Sequence, residues 1–121
     1  MNMFPYFELA LNDYSQALKY SQHALIFLAR AIESIENHFG ALAKISRNKG
    51  KEKTMVEELG ITKADVTYIT KKANDSHRRH ASSNARIEEL PGDELDKCFS
   101  KTLVIIMAFK LYLEKRFSNI L

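Results

Sequence analysis

From Leu103 to Phe109 every residue is apolar. The run lies inside a pattern with helical spacing formed by Leu95, Phe99, Thr102, Ile106, Phe109, Leu113 and Phe117. An ordinary surface helix buries one stripe and leaves its far side polar. A helix that is apolar all round in its middle needs cover on more than one side: it is either central in a bundle, or its second face meets another copy of the chain. Lys110 interrupts the run before Leu113, so it falls far short of the roughly 20 residues needed to span a bilayer, and no membrane role is expected. Pro91-Gly92 punctuates the approach to this helix and Asp93 caps it. Glu94 and Asp96 in the first turn, with Lys115 and Arg116 in the last, complement its dipole.

A second long pattern precedes it. After Asn12 or Asp13 as cap, Tyr14, Leu18, Ser21, Leu25, Leu28, Ile32, Ile35 and Phe39 recur at steps of four and three. This predicts one long helix ending at Gly40, with a narrow seam flanked by Ala17, Ala24, Ala29 and Ala31 that suits close packing on another helix. Ala41 to Ile45 adds at most a turn, and Ser46 to Lys51 reads as a basic connector. Glu52 to Leu59 predicts a short helix closed by Gly60. Thr62 caps a further helix from Lys63 to about Ala73, whose buried side is Val66, Ile69 and Ala73. With only four Gly and two Pro in 121 residues, the expectation is a single all-α domain over residues 1–121, a helical bundle with two long helices and short intervening ones. The single Cys98 excludes an internal disulfide and suits a reducing compartment. The start, Met1 to Glu8, lacks a cationic segment followed by a long apolar run, so a cytoplasmic protein is expected.

Charge is segregated along the chain. The net +3 conceals a middle third, residues 44–86, with eleven Lys or Arg against Glu52, Glu57, Glu58, Asp65 and Asp75. Such an excess favours a polyanionic partner. Within it, Lys71-Lys72-Ala73-Asn74-Asp75-Ser76-His77-Arg78-Arg79-His80 gathers cations, imidazoles and an Asn-Asp pair, read as a loop between two helical regions. The spacing of His77 and His80 suits a metal on a helical turn, but the four cations of the decapeptide oppose a divalent ion, and no metal or other cofactor is expected. His23 and His38 have no second ligand at metal spacing. Residues 52–73 fit a helix-turn-helix: Gly60 at the tight turn, Met55, Val56, Leu59, Ile61, Val66 and Ile69 packing the helices together, and Thr62, Lys63, Asp65, Thr67, Tyr68 and Lys71 on an exposed DNA-reading face, with Lys51, Lys53 and Lys72 reaching phosphates.

A different resemblance takes in the flanking helices. The first long helix with Ala-Leu-Ile-Phe-Leu-Ala-Arg-Ala-Ile-Glu-Ser-Ile at 24–35, the segment ending in Leu59-Gly60-Ile61, then Ala73-Asn74-Asp75, Arg79-His80-Ala81 and a long final helix resembles the HEPN superfamily over residues 12–118. That resemblance implies a small helical bundle that dimerises across its long helices, found in toxin–antitoxin and phage-defence systems and often cleaving RNA without metal. The family's motif is an Arg, often followed by Asn, a short spacer and a His. Asn74 matches the Asn and His80 or His77 the His, while Ala73 stands where the Arg is usual. The implied catalytic set is His80 as acid or base, Arg79 as phosphate clamp and Asn74 as a structural hydrogen-bonder, with Lys71, Lys72, His77, Arg78 and Arg86 contacting nucleic acid. The chemistry is consistent: an imidazole of pKa about 6.5 can take or give the proton of a ribose hydroxyl, and guanidinium groups stabilise a developing phosphorane. RNA is thus the expected partner and DNA the lesser alternative. A non-catalytic, antitoxin-like homodimer is the remaining class.

Overall fold

A computed structural model describes residues 4–45, 47–81 and 92–117, and for residues 48 and 76–81 it describes the backbone alone. Among the described residues the protein is all-helical: α1 (Pro5–Lys19), a single 3-10 turn (Ser21–His23), α2 (Ala24–Ala43), α3 (Asn48–Leu59), α4 (Lys63–Ala81) and α5 (Gly92–Arg116).

The predicted single helix from residue 12 to Gly40 is two helices folded back on one another. Tyr20 leaves the helical region (φ −119, ψ 76), and its N–H closes α1 on the Gln16 carbonyl at 2.8 Å. Neither Gly nor Pro marks the break. The run Tyr20-Ser21-Gln22-His23 holds residues of middling helix propensity, and reversal there lets two apolar faces bury each other. Antiparallel pairing is fixed by Asp13 with Arg30 (3.7 Å), Tyr6 with His38 (6.1 Å between ring centres) and Tyr20 with Phe27 (6.5 Å). Small Ala10 and Ala17, both fully buried, let α1 approach α2 closely. Between them Asp13 is also buried; desolvation raises its carboxyl pKa, with Arg30 opposing the shift and Glu33 adding to it.

α2 touches every other helix. Its expected stripe, Leu25, Leu28, Ile32, Ile35 and Phe39, is buried, but the helix does not stop at Gly40. It runs on to Ala43 and ends at Lys44 in the left-handed region (φ 56), with the Ile45 N–H bonded to the Gly40 carbonyl at 2.8 Å. Gly40 has another use. The stem of Lys51 lies across it, so that an added Cβ would sit 2.8 Å from Lys51 Cγ. The ammonium of Lys51 then donates to Asn37 Oδ1 at 3.1 Å. This places Lys51, expected in a connector, inside α3.

α3 ends at Gly60 (φ 65), and the N–H of Asp65 donates to Thr62 Oγ1 at 3.2 Å, capping α4, as the sequence predicts. α4 departs from expectation at its other end. It continues without interruption to Ala81, so residues 71–80 are helical and not a loop. Asn74-Asp75-Ser76 resembles turn chemistry, yet no Gly or Pro follows to stop the helix, and Lys, Ala and Arg on either side are good helix formers.

α5 lies antiparallel to α1 through Phe4 with Phe117 (5.5 Å), Phe7 with Phe109 (6.1 Å) and Tyr14 with Phe99 (5.7 Å). Its buried face is Cys98, Thr102, Ile105, Ile106, Phe109 and Leu113. Phe109 also meets His38 (5.0 Å) and Phe39 (5.8 Å) of α2, making it the junction of three helices. Truncating a fully buried aromatic ring loses transfer free energy and leaves a cavity. Phe109→Ala is therefore expected to lower unfolding free energy by about 3–5 kcal/mol, read from the urea midpoint; a change below about 1 kcal/mol would contradict this packing.

Candidate nucleic-acid interface

α4 has two unlike sides. Toward the core it buries Val66, Ile69 and Ala73. On the flank facing α5, Lys101 donates to Asp65 Oδ1 at 2.6 Å and Lys72 reaches Glu94 Oε1 at 3.4 Å. The Tyr68 ring lies between the two ammonium groups, 5.5 Å from Lys72 and 5.4 Å from Lys101. The hydrogen bond from Lys101 holds the Asp65 carboxyl below its ordinary pKa, helped by Thr62. Behind this brace sits Cys98, its thiol pKa pushed up by burial. Ion pairs this exposed contribute little to stability individually. Their consequence is orientation: they turn the Asp65 carboxylate and the Lys72 ammonium inward.

The outward side of α4 presents Lys63, Thr67, Lys71 and Asn74, all exposed and spaced by four, four and three residues on one face. Lys63 and Lys71 form no ion pair with a described residue. Of the two acids of α4, Asp65 is bound to Lys101, and half-buried Asp75 stands one turn beyond Lys71 at the edge of this face. On and beside α3, Arg47, Lys49 and Lys53 are exposed together with the acids Glu57 and Glu58. The outward face of α4 is thus a cationic stripe with a hydroxyl and an amide beside the charges, chemistry suited to phosphate oxygens.

Of the residues singled out from sequence, Lys71 and Asn74 lie on this face and Lys72 is held by Glu94. His77, Arg78, Arg79 and His80 belong to the helical backbone of α4, but their side chains lie outside the described residues, as does Arg86 entirely. α3, the Gly60 turn and α4 do follow one another as a helix-turn-helix would. Each leans on α2, however, with little packing between the two, and Asp65 and Tyr68 of the supposed DNA-reading face are turned toward α5.

Two features had no signal in the sequence beyond residue type. His38 sits half-buried among Tyr6, Phe39, Phe109 and Tyr112, its pKa lowered by desolvation and by Arg116. Beside it a cleft of about 410 Å³ opens between α3 and α5, lined by Glu58, Leu59, Ala108, Leu111, Tyr112, Lys115 and Arg116. The Tyr112 hydroxyl is buried there without a hydrogen-bond partner among the described residues, and burial raises its pKa.

Five helices among the described residues, with a cationic stripe along α4, define a small helical domain with a candidate polyanion surface. The chain belongs to the family described as the C-terminal domain of a domain of unknown function, DUF8168, which matches residues 2–114. Comparison with curated proteins and with solved structures gives no match.

The α3 helix is set on α2 beside an unusual carboxyl. Glu36 is raised from 4.5 to about 7, first by burial and then by Glu52 and Glu33, against the pull of Lys51. A carboxyl whose pKa is higher in the fold than in the unfolded chain binds more protons when folded. Stability is therefore fully present below pH 4.5 and falls as pH rises toward 7. Because Glu36 is only partly buried, the fall is discounted to about 1–2 kcal/mol. Glu36→Gln is expected to leave stability unchanged near pH 4 and raise it by that amount near pH 8, measured by urea titration; equal effects at both pH values would contradict the assignment.

Proposed function

We propose that this domain engages RNA along the outward face of α4, as a HEPN-like homodimer held through its long helices, in the toxin–antitoxin or defence setting that the resemblance implies. The observation that carries the reading is the exposed stripe Lys63, Thr67, Lys71 and Asn74, whose two lysines form no ion pair with a described residue. The two ammonium groups, about two turns apart on one helix, can contact phosphates of a single strand, and the Thr67 hydroxyl between them and the Asn74 amide beyond them can bond to phosphate or sugar oxygens. DNA reading is less favoured, because the inward turn of Asp65 and Tyr68 leaves few side chains on α4 that could read base edges.

Lys63→Ala with Lys71→Ala is expected to weaken single-stranded RNA binding at least fivefold. It should also flatten the salt dependence by about 0.7 for each phosphate no longer neutralised, measured by fluorescence anisotropy across a salt series. Unchanged affinity and slope would remove α4 from the interface; a stronger preference for duplex DNA would favour the alternative reading.

Within the same reading the domain cleaves RNA without metal, with His80 as acid or base, Arg79 as clamp and Asn74 as positioning residue. Cleavage of an oligoribonucleotide should fall at least a hundredfold in His80→Ala, the scale of removing a general acid or base, with the circular dichroism of the helices intact. Cleavage that persists in the variant would remove His80 from the mechanism, and intact RNA with the parent chain would leave binding without catalysis.

A further inference from the structure

α5 carries a second apolar stripe on the side away from the core. Val104, Met107 and Leu111 are 60%, 45% and 55% exposed, with Leu103 beside them at 43%. Followed outward, the same stripe passes through Ser100 to Lys97 at one end and reaches Glu114 at the other, all exposed. The positions 97, 100, 104, 107, 111 and 114 alternate steps of three and four, the seam spacing of a two-helix coiled coil. The inner face of α5 occupies the remaining positions, so core and seam do not compete for the same side chains.

The stripe is complementary to itself when reversed. About a point between Ile105 and Ile106, Val104 is matched by Met107, small Ser100 by large Leu111, and the Lys97 cation by the Glu114 anion. A two-fold interface needs this property, because each residue meets its counterpart's partner in the other copy. Within one chain Glu114 pairs with Lys110, at 3.8 Å and with both side chains half exposed.

The apolar surface also extends sideways. Phe7, Leu11, Tyr14 and Leu18 follow one edge of α1 at steps of four and three. The two aromatics contact α5, and Leu11 and Leu18 stay 42% and 63% exposed along the same edge. On the opposite flank Ala108 and Leu111 form a wall of the α3–α5 cleft. The exposed apolar surface is thus wider than one helix stripe.

We propose that α5 pairs antiparallel with α5 of a second copy in this one register, placing Lys97 against Glu114 of the partner subunit at both ends of an apolar centre. The proposal rests on the dimer reading above and specifies how the copies meet. Opposite charges at the seam ends hold the register, and a slip of one heptad would separate them and expose Val104 or Leu111.

The test is a charge exchange followed by sedimentation equilibrium. Lys97→Glu alone and Glu114→Lys alone each place like charges together twice per dimer and are expected to weaken dimerisation about tenfold. The double variant K97E/E114K should restore it. Both substituted positions are on the surface, and circular dichroism confirms for all three variants that the helices remain. Dimers indifferent to both single changes would overturn the register while leaving the dimer. Single variants weakened without rescue in the double variant would also overturn it. A parent chain that stays monomeric at all concentrations would overturn both proposals.

Discussion

The packing of Phe109 is the interaction on which the rest of the fold depends. Its ring meets Phe7 from α1, His38 and Phe39 from α2, and Tyr112 one turn along α5. It thereby fixes the rotation of α5 about its own axis. That rotation puts Cys98, Thr102, Ile105, Ile106 and Leu113 into the core. The same choice forces Val104, Met107 and Leu111 outward, since residues on opposite sides of a helix cannot both face inward. The long apolar run needs cover on two sides, and among the described residues it receives cover on one.

Polar contacts then decide what α4 offers to solvent. Its core side is fixed by Val66, Ile69 and Ala73, and its flank by the pairs Asp65–Lys101 and Lys72–Glu94 astride Tyr68. Neither pair contributes much energy at such exposure. Together they withdraw one acid and one base from the outer surface, and Lys63 and Lys71 form no ion pair with a described residue. A cationic face results from where the acids are placed as much as from the number of lysines. The α2–α3 junction follows the opposite logic, gathering Glu33, Glu36 and Glu52 around Lys51 so that one carboxyl remains protonated close to neutral pH.

Local signals were legible in the sequence, and long-range ones were not. Gly60 and Thr62 act over four residues, so the end of α3 and the start of α4 could be read directly. The stripes of α2 and α5 were legible because period and burial agree along Leu25 to Phe39 and along Thr102 to Leu113. The reversal at Tyr20–His23 was hidden. The seven-residue repeat happens to continue across it, and its cause is tertiary, the burial of α1 on α2. Gly40 misled for a similar reason: it admits the stem of Lys51 instead of ending a helix. Asn74-Asp75-Ser76 suggested a turn, but capping residues within good helix formers do not by themselves stop a helix. At the candidate site, Lys71 and Asn74 could be named from residue type, whereas the pairing of Lys72 with Glu94 spans 22 positions and depends on the fold.

On the proposal made above, α5 is apolar on two sides because one packs the core and the other meets a second copy. The most direct measurement is the sedimentation mass and helical content of the chain carrying Val104→Glu and Met107→Glu. A helical, folded monomer near 13.9 kDa, against a parent of twice that mass, is the predicted result. A dimer that survives both substitutions, or loss of the helical fold on making them, would contradict it.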